Sequence, residues 1–247
     1  MSNLKSLEWN VENIRLTIFT GEKIQFTEEE WISFVSGRKP LVKARGERGG
    51  SVHFTEMVED NNHFNLEVRC AGNRVDWRNI SNNDDLMTAC DIVEKSKIFL
   101  NKLKGWIENF EGGNTIVRVA FAIELRKPFD TEQESIECIK KFIPFFDVSS
   151  EFFNDVDLRV SKKRLVNNTE TGFNEAITIS AKKMISVRLD KQSMFPIPTP
   201  SVQNLCILKL DSNTFAESNN KISSVFDIAS SLRASVIKGL TEGAKNE

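Results

Sequence analysis

The sequence predicts an α+β fold of two similar halves, each an antiparallel sheet with one short and one long helix. Three observations carry that expectation. Val117, Val119, Phe121, Ile123 and Leu125 alternate with Arg118, Ala120, Ala122 and Glu124, the period of a strand with one buried face. Ile92, Phe99, Leu103, Trp106, Ile107 and Phe110 recur at helical spacing, as do Ile222, Val225, Phe226, Ala229, Leu232, Val236, Ile237 and Leu240. The order strand, short acid-capped helix, meander, long helix occurs once in residues 1–112 and again in 113–247, which are taken as two tightly associated halves.

Trp9, Val11, Ile14, Leu16 and Ile18 alternate with a change of phase near Asn13, the signature of a strand carrying a bulge. Thr27 followed by Glu30 is a capping box: the threonine oxygen accepts an early amide and the glutamate reaches back. That helix stops before Gly37. Arg38 to Gly50 then reads as a basic loop, followed by strands near 52–58, 64–70 and 74–80, the last two joined by a turn at Ala71-Gly72-Asn73. One long helix is expected from Asp84-Asp85 to about Phe110, ended by Gly112-Gly113.

In the second half, Asp130 or Thr131 caps a short helix that presents Ile136, Ile139, Phe142 and Ile143 and ends at Pro144. Strands are expected near 156–166, 175–181 and 184–189, then a proline loop at Phe195-Pro-Ile-Pro-Thr-Pro200, a strand at 205–210 and a last helix over 221–240. The predicted hairpin His63–Trp77 resembles Gly172–Arg188, since both open on Phe-Asn and both place a polar turn between alternating runs. That likeness is the residue-level support for an internal duplication.

Composition excludes more than it assigns. The 247 residues are 40% apolar and 28% charged, ordinary globular usage with a net charge of −2, so the whole chain is no general magnet for nucleic acid. No apolar stretch has the length of a signal core or a membrane span, which points to the cytoplasm and away from membranes. Cys70, Cys90, Cys138 and Cys206 are widely spaced and read as small apolar residues rather than a disulfide or zinc framework. Two histidines, His53 and His63, are too few for a histidine-rich metal site or an ordinary triad. No phosphate loop is present, and nothing calls for a metal or cofactor. Asp76 and Glu124, on different strands, are the carboxylates a Mg²⁺-dependent nuclease would use together with a cation.

Charge distribution says more. Residues 130–157 carry eight acidic and two basic side chains, and residues 159–191 carry eight basic and three acidic ones. Arg159, Lys162, Lys163, Arg164, Lys182, Lys183 and Arg188 are the candidate basic patch, suited to a phosphate backbone or an acidic protein surface. Arg38, Lys39, Lys43, Arg45 and Arg48 form a second basic segment. Met194, Phe195 and Ile197 sit in the proline loop, a stiff apolar docking element.

Ile14-Arg-Leu-Thr-Ile-Phe19, Trp31-Ile-Ser-Phe-Val-Ser-Gly-Arg-Lys-Pro40, Arg74-Val-Asp-Trp77 and the C-terminal Leu208-Lys-Leu-Asp211 strand with its following helix carry a resemblance. Together they resemble a sporadically distributed family of uncharacterised bacterial proteins of about this length. The basic pair Arg38-Lys39 departs from the more acidic form of that pattern. The resemblance implies an accessory protein of mobile or phage-defence gene neighbourhoods, with no active site to carry over. The functional expectation is therefore a non-catalytic interaction subunit of a multi-component bacterial antiviral assembly, partnered by another protein subunit. A nucleic-acid-binding accessory protein using the basic C-terminal sheet face is the alternative, and the nuclease a lesser one.

Overall fold

A computed structural model of the chain describes residues 9–45, 51–55, 64–81, 86–140, 156–165, 172–189, 198–215 and 224–242. The first half runs β1 (Trp9–Thr20), α1 (Glu28–Trp31) passing into a π turn over Ile32–Ser36, β2 (Val42–Arg45), β3 (Ser51–Thr55), β4 (Phe64–Ala71), β5 (Arg74–Ser81), the two-residue β6 (Leu86–Met87), α2 (Ala89–Lys102) and α3 (Lys104–Gly113). The second runs β7 (Ile116–Phe129), α4 (Glu132–Lys140), β8 (Val156–Leu165), β9 (Gly172–Leu189), β10 (Pro198–Thr214) and α5 (Val225–Glu242).

The fold is α+β, but the two sheets expected from the sequence are one. All ten strands join a single antiparallel sheet in the order β2-β3-β4-β5-β1-β7-β10-β9-β8, with β6 on the end of β1. The join is the β1–β7 ladder, which sets Ile14 opposite Ile123, Leu16 opposite Phe121 and Ile18 opposite Val119. Strands this apolar cannot serve as edges, because unpaired amides and buried-type side chains would face water. The ladder shifts register between Val11 and Asn13, which is the bulge read from the change of phase.

The described helices pack on one face. Phe99 of α2 meets Phe121, Trp106 of α3 meets Trp77, and Gly239 of α5 lies against Leu210 and Ile177. Cys138 of α4 meets Cys206. The core of the first half is aromatic: Trp77 stacks on Trp31 at 6.0 Å and takes the edge of Trp106 at 4.9 Å, with Phe26 and Phe54 closing the cluster. All four tryptophans are buried. Each removes a large apolar surface from water, so this cluster is the heaviest single contribution to the half's stability.

Several local expectations change. The long helix of the first half breaks at Leu103, whose amide bonds to Leu100 three residues back rather than four. The break turns Trp106, Ile107 and Phe110 inward. Its N-terminus is capped by Thr88 with Asp91, rather than by Asp84-Asp85, which lie outside the described residues. The Thr27–Glu30 box forms as read, and Thr131 with Glu134 forms the same box on α4. Helix α5 is capped from a distance: both carboxylate oxygens of Glu111 accept from the amides of Ser224 and Val225, at 2.5 and 3.0 Å.

The turn expected near Lys182-Lys183 is absent. β9 runs unbroken from Gly172 to Leu189 and pairs with β10 along its whole length. β8 stops opposite Ala181 and β7 opposite Asn204, so beyond them β9 and β10 continue as a two-stranded ribbon. Pro198 and Pro200 lie on that ribbon instead of in a loop. A continuous strand is possible because Lys182 and Lys183 remain exposed on it, so no turn is needed to keep them in water.

Candidate functional site

The face of the sheet opposite the helices is the candidate site. Among the described residues no helix covers it. Its residues follow from the ladder registers, because directly opposite residues share a face. One row reads Glu67, Arg78, Arg15, Ala122, Asp211, Ala176 and Ser161 across seven strands. The row beside it reads Arg69, Asp76, Thr17, Ala120, Asn213, Asn174 and Lys163. On the other side lie Asn13, Glu124, Lys209, Thr178 and Arg159.

This face is rich in arginine. Arg15, Arg69, Arg74, Arg78, Arg118, Arg126 and Arg159 lie on it with Lys163, Lys182 and Lys209. Glu67, Asp76, Glu124, Asp157 and Asp211 are interspersed. The surplus of cations stands out in a chain whose net charge is −2. Acidic helix starts such as Glu28-Glu29-Glu30 balance it on the helical side.

Many of these charges hold one another. Arg74 meets Asp76 at 2.8 Å, and Asp76 also accepts from the Thr17 hydroxyl at 2.6 Å. Arg69 and His53 share Glu67, at 3.1 and 2.7 Å. Lys209 meets Glu124 at 3.3 Å and Lys182 meets Asp157 at 3.3 Å. Arg126 pairs with Glu12 at the bulge, and burial lowers the Arg126 pKa. Arg74 and Arg118 flank the Phe19 ring, each 5.5 Å from its centroid, and Arg118 donates to Asn213. Arg78 and Arg159 form no hydrogen bond or ion pair with a described residue, and the buried Nε of Arg78 has no acceptor. Burial first, then the neighbouring Arg69, lowers the Arg78 pKa.

A depression of about 180 Å³ lies near the middle of the face. Ala122 and Ala176 leave room there, while Arg15, Arg159 and Lys209 stand around it with Glu124 and Asp211.

The basic patch read from the sequence does not stay together. Arg159, Lys163 and Lys182 lie on the helix-free face. Lys162 is on the helical side, 3.0 Å from Glu175, and Lys183 shares that register. Strand alternation forces this division, since neighbours in sequence point to opposite faces. Arg164 and Arg188 lie on β8 and β9, opposite Phe173 and Thr199.

The second basic segment is partly strand. Lys43 and Arg45 lie on β2, where Lys43 pairs with Glu28 and covers the Phe54 ring. Arg38 and Lys39 are exposed ahead of it, and Arg48 lies outside the described residues. Met194, Phe195 and Ile197 also lie outside them.

The nuclease pair is not brought together. Asp76 and Glu124 are two strands and four residues apart along the ladder, on the order of 16 Å. That is far beyond the reach of one metal ion. Each also has its own partner, and no group of metal-ligating side chains occurs among the described residues. Cys70, Cys138 and Cys206 are buried as expected, whereas Cys90 is exposed; burial raises the pKa of the Cys70 thiol. No described helix is long and apolar enough to cross a membrane.

Comparison with protein-family models, curated proteins and solved structures finds no match to this chain.

Proposed function

We propose that the protein is a non-catalytic interaction subunit whose helix-free sheet face docks an acidic protein surface. The observation that supports this reading is the mosaic of paired and unpaired charge across the face, with Arg15, Arg159 and Lys209 around its central depression and Arg78 beside Arg15. A broad face with alternating charges and a cationic surplus complements a protein surface of the opposite pattern, and such complementarity sets specificity and encounter rate. A phosphate backbone is better served by an uninterrupted positive track, and stacking of bases needs exposed aromatics. The rings of Phe19 and Phe215 on this face are already taken up by cations, Phe19 by two arginines and Phe215 by Lys163. The resemblance read from the sequence supports a setting in a multi-component bacterial assembly.

The test is reconstitution with the partner recovered from the native host. Charge reversal at Arg15 and Arg159 should abolish the complex, and nuclease treatment should leave it intact. Loss of the complex on nuclease treatment would favour the nucleic-acid reading instead.

We also propose that the two halves descend from one duplicated unit. Outward from the β1–β7 pair the strands run β5, β4, β3 on one side and β10, β9, β8 on the other. Thr27–Glu30 and Thr131–Glu134 cap the corresponding short helices. Phe64-Asn65 opens β4 and Phe173-Asn174 opens β9, so that match lies strand on strand although the turn does not. On this reading residues 113–247 expressed alone should dimerise through β7; a soluble, folded monomer would count against it.

A further inference from the structure

β8 ends the sheet, and among the described residues only β9 pairs with it. Along its outer side every second residue therefore turns its amide and carbonyl away from the sheet, an open ladder for another strand. The strand at the opposite end, β2, has four residues, whereas β8 has ten. The side chains beside the open ladder are of two kinds. Val160 is 57% exposed and its rung partner Ile177 is 38% exposed. Their rung continues through Leu210 to Ile123, so both lie on the helical face. Gly239 of α5 reaches Ile177, one strand in, and leaves Val160 more than half in water. The cations alternate around this apolar spot: Arg159 and Lys163 on the helix-free face, Lys162 on the helical one, all three exposed. Lys162 rests on Glu175 at 3.0 Å and Lys163 covers the Phe215 ring. The single acid of the strand, Asp157, is held by Lys182 at 3.3 Å.

We propose that the β8 edge binds an extended acidic segment of a protein as an added antiparallel strand, with acids beside Arg159, Lys162 and Lys163 and an apolar side chain beside Val160. This goes beyond the docking face and needs no contact with Arg15, Arg78 or Lys209. In such an addition main-chain hydrogen bonds give affinity and the alternating side chains give specificity. An apolar residue opposite Val160 covers a side chain that the sheet leaves in water. Lysines on an edge strand are a device against pairing with a second copy, since two such strands set cation against cation. The same charges attract a strand of the opposite sign, because oppositely charged cross-strand pairs are stabilising. The occupant is thereby an acidic strand and not another β8.

The experiment is titration of the full chain with the capped peptide Thr-Glu-Glu-Thr-Ile-Glu-Val-Thr, which sets isoleucine opposite Val160 and glutamates opposite the three cations. Binding is followed by calorimetry and by amide exchange along β8. The proposal expects alternate β8 amides to exchange freely in the free chain and to become protected with the peptide. The glutamine counterpart of the peptide should bind more weakly. N-methylation of alternate peptide amides should abolish binding in one phase and spare it in the other, because only every second amide faces β8. Lys162→Gln with Lys163→Gln should weaken binding roughly fivefold. Arg15→Glu, on the docking face but away from the edge, should leave it unchanged. Equal binding by both N-methylated forms would mean diffuse attraction and overturns the added strand. Loss of binding in Arg15→Glu would move the peptide onto the sheet face, which overturns the edge and leaves the docking face standing. Full protection of β8 in the free chain also overturns the proposal: in a dimer it would show a second copy on the edge, and in a monomer another part of the same chain. Circular dichroism of each variant separates loss of binding from loss of fold.

Discussion

Arg15 of β1 and Arg78 of β5 face each other across one rung of an antiparallel ladder, two like charges where a stabilising pair could stand. Direct like-charge pairs cost a few tenths to about 1 kcal/mol, and at Arg78 the burial of the guanidinium and the neighbouring Arg69 add to that cost while Asp76 and Glu67 offset it. Arg78→Gln should therefore raise the urea midpoint while weakening binding of an acidic partner. A variant less stable than the parent would show that Arg78 serves the fold instead.

Gly172 is required by packing. A Cβ there would fall 1.9 Å from the Phe215 ring, whose residue also bonds back to the Gly172 carbonyl. Gly172→Ala should cost roughly 1–3 kcal/mol, the usual range for forcing atoms into a filled site. Adding Phe215→Ala should recover much of that loss, as a double-mutant cycle on urea unfolding would show.

Helix α5 depends on a carboxylate from the other half of the chain. Glu111 of α3 accepts from the first amides of α5, so Glu111→Ala strands those donors. The expected loss is about 1 kcal/mol, with Glu111→Gln milder because one oxygen acceptor survives. Amide exchange at Val225 should rise in step, and unchanged exchange would show that the cap contributes nothing.

The start of α2 makes part of the acid sensitivity. Hydrogen bonds from the Thr88 hydroxyl, then from its backbone, hold the Asp91 carboxyl below its ordinary value of 3.8. The folded state thus takes up the proton less readily than the unfolded one. The contribution is complete above the unfolded value and disappears as pH falls below 3.8 through the folded value. Asp91→Asn should flatten this part of the acid limb in urea midpoints taken between about pH 6 and about pH 3. It should be a small effect, since the group is exposed.

Local features were legible where the physics is local. Thr27 with Glu30 announced its helix, and the change of phase near Asn13 announced the bulge, because both depend on residues within one turn or one rung. The docking face was not legible in the same way. Its strands do show part of the signal: Arg15 and Arg69 sit between buried residues, and Arg74, Arg78 and Arg118 each adjoin one. What the sequence withholds is the lateral order that sets Arg78 beside Arg15, and Arg159 four strands away across two alanines. Reading charge by proximity in sequence instead gathered Lys162 with Lys163, which a strand sends to opposite faces. The β9 ribbon failed for a related reason. Lys182-Lys183 resembles a turn only when the long partner strand β10 is out of view.

The central claim is that the helix-free face is where a partner docks. Hydrogen–deuterium exchange on the complex with its purified partner tests it most directly. The account predicts protection concentrated on β1, β5, β7 and β10, and loss of both complex and protection when Arg15 and Arg159 are reversed to glutamate. Protection confined to α2, α4 or α5, with a complex indifferent to those reversals, would contradict it.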